Sequence, residues 1–145
     1  MTACLDRGSV EHRLITMRRS VGQLDTLGPV DRARLDSNPA TGLVVERILA
    51  LLDDLAFAIN SHVSAAVVGA VPRTSAASFG TAEQAGMIDG ELAGVLAPAD
   101  GPPNVLVQLL LDSEPDEVAA VVAAAVSGYG EYVRQVTRWA AAQAG

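Results

Sequence analysis

The chain has 145 residues, half of them hydrophobic, with a net charge of −7, one cysteine, two histidines and no lysine. That length suits one domain, and so apolar a composition excludes natively disordered chains. A lone cysteine excludes an internal disulfide, and no run of about 18 or more uncharged apolar residues has membrane-span character.

The first residues, with Asp6, Arg7, Glu11, His12 and Arg13, lack the apolar core of a secretory signal. A cytoplasmic location is the expectation, with one domain over 1–145, residues 1–8 frayed and Cys4 an unremarkable thiol. Ser9 is a candidate N-cap. Over 9–27, Val10, Leu14, Met17, Val21, Leu24 and Leu27 recur at three- and four-residue steps, one narrow helical stripe. A stripe this narrow suits few neighbours or a second copy of the chain, and with the apolar run 105–111, also able to bury surface against a second copy, it makes self-association as a symmetric dimer the expectation. Arg13, Arg18 and Arg19 fall off the stripe.

Gly28-Pro29 ends that helix, residues 31–39 form a short charged turn, and Asn38-Pro39 is a stop. The longest helix is expected from 41 to about 68. Its apolar positions are Leu43, Val44, Ile48, Leu51, Leu52, Leu55, Ile59, Val63 and Val67, with Glu46, Arg47, Asp53 and Asp54 mostly on the other face. His62 has no second His or Cys at ligand spacing, so a carbonyl-bonded, partly buried imidazole is expected there and no metal site. Residues 69–78 read as a loop of small side chains leading to Phe79. Two short helices follow around Gly86-Met87-Ile88-Asp89, with Asp89 capping the second and Leu92, Val95 and Leu96 inward. The glycines form no phosphate loop, because no Gly-Lys-Ser/Thr and no preceding strand accompany them.

Residues 98–103 are a linker turn, and a short, almost wholly apolar helix follows. Asn104 and Gln108, four residues apart, are its only polar side chains between Pro103 and Asp112. Ser113 is a candidate cap with Pro115 in the first turn of a last helix over about 116–142. That helix has a broad apolar face including Tyr129, Val133, Val136 and Trp139. Gly128 and Gly130 mark a kink or a close helix approach. Strand signals are nearly absent, so the fold expected is all-α, an antiparallel bundle of four to five helices.

Four stretches carry a resemblance: Asn104-Val105-Leu106-Val107-Gln108, the acidic run from Asp112 to Glu117, the phrase Ala-Gly-Met-Ile-Asp-Gly-Glu-Leu over 85–92, and the end Tyr-Val-Arg-Gln-Val-Thr-Arg-Trp over 132–139. Together they resemble the HepT-like branch of the HEPN superfamily. The resemblance covers roughly residues 9–140. It implies an all-α protein encoded beside a minimal nucleotidyltransferase in a prokaryotic toxin–antitoxin pair. The family signature is Arg, a polar residue, three apolar residues, His, any residue and Tyr. Here the polar residue is Asn104, but the Arg, His and Tyr positions hold Pro103, Gln108 and Leu110. Intact members are implied to be metal-independent ribonucleases whose Tyr is a target for nucleotide transfer.

RNA cleavage by the 2′-hydroxyl needs a group that exchanges protons near neutral pH and a fixed cation on the phosphate. Gln108 and Pro103 provide neither. The expectation is therefore a non-catalytic, cofactor-free antitoxin that binds a nucleotidyltransferase toxin, with no direct nucleic-acid contact. Residues 74–145 carry nine acids against Arg134 and Arg138, and so the whole −7, while residues 1–73 balance eight acids with eight arginines. That acidic half, with Glu114, Asp116 and Glu117 as candidate contacts, suits a basic partner. The competing reading is a HEPN ribonuclease toxin using non-signature residues, His62 or His12 with Arg13, itself controlled by a nucleotidyltransferase.

Overall fold

A computed structural model describes residues 5–97, 110 and 113–143, and every regular element among them is helical. α1 spans Arg7–Thr26, α2 Arg32–Ser37, α3 Ala40–Val63, α4 Ser75–Gln84, α5 Gly90–Leu96 and α6 Val118–Ala142. The all-α bundle expected from periodicity is what forms.

Short polar side chains start four of these helices. Asp6 Oδ1 accepts from the Ser9 amide at 3.1 Å, so the cap of α1 lies three residues before Ser9. Asp31 caps α2 at 2.9 Å, Thr74 caps α4 at 3.0 Å and Asp89 caps α5 at 2.8 Å. Each satisfies an amide that the first helical turn leaves without a backbone partner. At the other end of α3 the helix widens into a π-turn, Ser64–Val68, where Gly69 donates to the Ser64 carbonyl at 2.8 Å. Gly69 closes it at φ 77°, a left-handed conformation open to glycine at little cost. A 3-10 turn, Pro115–Glu117, leads into α6 with no side-chain cap.

α1 lies between α3 and α6 and runs antiparallel to both. Asp6, at its start, bonds to His62 near the end of α3. Leu24, near its end, lines a hollow with Val122 and Val126, and Arg18 lines another with Val133 and Thr137. Val10, Leu14, Met17 and Leu24 are all buried in the core so formed. The narrow stripe is thus used inside the molecule, which removes it as the surface for pairing with a second copy. Burying each such side chain contributes about 1.5–3 kcal/mol.

α3 departs most from its sequence reading. The buried stripe is Val45, Leu49, Leu52, Ala56, Ile59 and Val63, at steps of four, three, four, three and four, whereas Leu43 is 68% exposed, with Val44 and Leu51 also exposed. The helix is so rich in apolar residues that two stripes compete, and packing against α1 and α4 selects the second. Asp53, expected on the outer face, is buried.

α5 lies antiparallel on α6, with Asp89 beside Gln135 and Leu96 against Gly128. A Cβ at Gly128 would sit 3.0 Å from Leu96 Cδ2, so this glycine marks a close approach and α6 continues unbroken through it. Val95, expected inward, is 54% exposed. At Gly130 a Cβ would meet only the Arg134 guanidinium at 3.6 Å, an ordinary contact. Gly130→Ala should therefore raise the denaturation midpoint, by about 0.5–1 kcal/mol of stability from helix propensity. Gly128→Ala should give no such gain, because the buried Leu96 must move.

Candidate functional site

Two polar ladders meet between α3 and α4. Asp53 and Asn60 on α3, and Ser64 at the start of the π-turn that continues it, follow at steps of seven and four, which places them on one face. On α4, Ser75, Ser78 and Thr81 recur every three residues. Ser75 Oγ donates to Asp53 Oδ1 at 2.7 Å, Asn60 Nδ2 donates to Ser78 Oγ at 3.0 Å, and the Ser64 and Thr81 hydroxyls lie 2.5 Å apart. The contacts climb both helices together, so α4 runs in the same general direction as α3. From α6, Tyr132 Oη donates to Asn60 Oδ1 at 2.6 Å, and its ring meets Phe79 edge-on with centroids 5.9 Å apart.

Burial governs the chemistry of this column. It raises the Asp53 carboxyl above the usual range, the Ser75 hydroxyl opposes that, and nearby Asp54 adds to it. Tyr129 is raised by burial and by the charges of Asp53 and Asp54. Tyr132 is raised by burial and then by Tyr129. Both phenols are buried, so neither is open to modification from solvent. Leu110, at the Tyr position of the signature, is likewise a core residue. Pro103, Asn104 and Gln108 lie outside the described residues.

The second cluster is at the junction of α1 and α3. His62 Nε2 accepts the Asp6 amide at 2.7 Å, which fixes the imidazole at the head of α1 and, in this arrangement, places its hydrogen on Nδ1. The same turns carry Arg7, paired with Glu11 at 3.2 Å, and Arg13, bonded to the Ser9 hydroxyl. His12 is exposed on α1. Arg7 Nε and Ser61 Oγ are buried with no hydrogen-bond partner among the described residues. So the fold brings His62, Arg7 and the α1 turn with Arg13 to one end of the bundle. No cluster of three or more His, Cys, Asp or Glu side chains that could hold a metal occurs among the described residues.

The acidic residues Glu114, Asp116 and Glu117 are exposed at the approach to α6. Asp116 already holds Arg32 of α2 through contacts of 3.0 and 3.3 Å, which lowers its carboxyl from the usual value. Its charge is thus partly neutralised within the chain.

No protein-family model matches the chain. It is 29% identical over 119 residues to the tRNA nuclease HepT of Aphanizomenon flos-aquae (strain 2012/KM1/D3), a match covering 80% of this chain and 81% of that protein. The likeness supports a HepT-like HEPN family relationship. It also corrects the expectation of a non-enzyme. That expectation rested on Pro103, Gln108 and Leu110 standing at the signature positions, but the matched relative is a nuclease, and the similarity points to a ribonuclease. No helix among the described residues is long and apolar enough to cross a membrane.

The column was only partly visible beforehand. Asp53 is expected on the outer face of its helix, and nothing local to the chain singles out Ser75, Ser78 or Tyr132. The available signal was the pair of polar ladders at helical spacing, each embedded in an apolar or small-residue stretch. Two consequences can be measured. Tyr132→Phe strands the Asn60 oxygen in the core and should cost about 1–3 kcal/mol in urea denaturation. Asp53 is held above its unfolded pKa, so its contribution to stability is full below the ordinary carboxylate range and is lost as pH rises through the raised folded value. Asp53→Asn should flatten that decline, and the variant should gain on the parent protein as denaturation is repeated from about pH 4 to about pH 8.

Proposed function

We propose that this chain is a HepT-like ribonuclease acting on RNA of the tRNA class, with proton transfer carried by a residue outside the family signature. The similarity over four-fifths of the chain to a tRNA nuclease is the observation that carries this reading. Proline and glutamine at positions 103 and 108 cannot supply the charge or the proton exchange, so these roles fall to other side chains. His62 is the first choice, since it is fixed at the head of α1 on the turns that bear Arg7 and Arg13. In the reaction, the 2′-oxygen bonds to phosphorus, the imidazole takes the 2′-hydroxyl proton, the bond to the 5′-oxygen breaks, and a proton is delivered to that oxygen. An arginine steadies the charge on the phosphate. For His62 Nε2 to act as the base, the Asp6 amide must be released, which makes the start of α1 part of the working site. His12, exposed on the same helix, is the second choice.

On the same reading the chain is the toxin of a toxin–antitoxin pair, controlled by a nucleotidyltransferase. With Leu110 buried and no hydroxyl at that position, such control would act by binding rather than by modifying that residue. The decisive experiment incubates the purified chain with end-labelled tRNA. Cleavage is expected, and His62→Gln should lower its rate about 100-fold or more, because Gln keeps an acceptor for the Asp6 amide but cannot exchange a proton near neutral pH. An unchanged rate in His62→Gln with a large loss in His12→Ala would transfer the role to His12. No cleavage by the parent protein would sink the enzymatic reading.

A further inference from the structure

An open-sided groove of about 940 Å³ runs between the second half of α1 and the first half of α3, closed at one end by α2. Its apolar floor is Leu43, Val44 and Ile48, of which Leu43 is 68% and Val44 46% exposed. Around it stand Arg19, Arg34 and Arg47, and no acidic residue lines it. Arg34 is held in place by the Leu27 and Pro29 carbonyls at the end of α1. Arg19 and Arg47 have no hydrogen bond or ion pair among the described residues.

This pattern is unlike a solvated face. Leucine and valine are left open where the same helix had apolar residues enough to fill its buried stripe, and three cations gather round them with no acidic residue in the lining to offset their charge. Arg7, Arg32 and Arg134 each pair with a carboxylate. We propose that the groove docks an acidic amphipathic helix of a partner protein, with apolar side chains at i, i+3, i+4 and i+7 on the Leu43–Val44–Ile48 floor and carboxylates reaching Arg19, Arg34 and Arg47. A groove between two helices with an apolar floor is the geometry that receives such a helix. The charge ring selects its sign, since a basic helix would meet three arginines. Single-stranded RNA fits less well, because the groove offers no aromatic side chain on which a base could stack. The surface is distinct from the His62 cluster: it lies toward the opposite end of α1, so its occupancy is a matter separate from cleavage.

The test uses the whole chain and fluorescein-labelled peptides of about 18 residues, roughly five helical turns. One carries leucines at the docking spacing flanked by glutamates, and a second has every glutamate replaced by lysine. Anisotropy should show the acidic peptide binding and the basic one failing to bind. Arg19→Gln with Arg47→Gln should weaken binding about fivefold or more, and Leu43→Ser, at an exposed position that leaves the core intact, should weaken it by a similar factor. Raising the salt concentration should reduce binding of the acidic peptide to the parent protein more than to the double arginine variant. Three results would overturn the proposal. They are no binding of the acidic peptide at millimolar concentration, binding indifferent to the arginine and Leu43 changes, and displacement of the peptide by an oligouridylate at lower concentration than by unlabelled peptide. Light scattering on the parent and on Leu43→Asp covers the remaining occupant: a dimer that the substitution turns into a monomer would assign the groove to a second copy instead.

Discussion

The bundle depends on the requirement that buried polar groups find partners. Asp53, Asn60 and Ser64 are carried into the core by the helix whose apolar stripe they adjoin, and leaving any of them unpaired would cost about 1–3 kcal/mol. Ser75, Ser78 and Thr81 answer them one by one, and that sets the register of α4 on α3 more narrowly than apolar contact could. Apolar side chains tolerate a slide along a helix, whereas a hydroxyl 2.7 Å from a carboxylate does not. Tyr132 then ties α6 to the same column through Asn60. Three helices are thus indexed to one another by one set of hydrogen bonds, and α1 is pinned to the end of α3 by the Asp6 amide on His62.

Much of the fold could be read from spacing alone. The stripe from Val10 to Leu24, the Asp89 cap and the broad face of α6 all lie where helical spacing and capping chemistry put them. These succeed because each segment offers only one apolar face. α3 offered two, and a sequence cannot say which of them a neighbour will cover. Leu43 and Leu51 therefore looked like core and are surface, while Asp53 looked like surface and is core. The partner that reverses Asp53 is Ser75, twenty-two residues away in a stretch of small side chains that reads locally as loop.

Function is less legible in the sequence, because it depends on which side chains the fold brings together. Loss of the signature Arg and His at Pro103 and Gln108 argues against chemistry at those positions, and that argument holds for those positions only. It says nothing of whether another imidazole has been brought beside another cation, which is a question of tertiary structure. His62 and Arg7 are fifty-five residues apart in the chain, yet the antiparallel run of α1 along α3 places the Asp6 amide on the imidazole and Arg7 one residue further on.

The two ends of the α1–α3 pair are consequently different kinds of surface. At one end, polar groups are gathered and partly buried around His62, with Arg7 Nε and Ser61 Oγ left without partners among the described residues. At the other, Leu43 and Val44 lie open beneath Arg19 and Arg47. The core stripe of α3 is continuous between them, so both surfaces are displayed by one rigid helix whose packing is fixed from the opposite face. The sharing has a consequence for the bundle itself. The outer face of α3 contributes little to holding the fold, because the helix is already secured by α1, α4 and the polar column. Its residues are therefore free to be shaped by what docks there, and an apolar face with unpaired arginines is what remains when selection for packing has been removed from it.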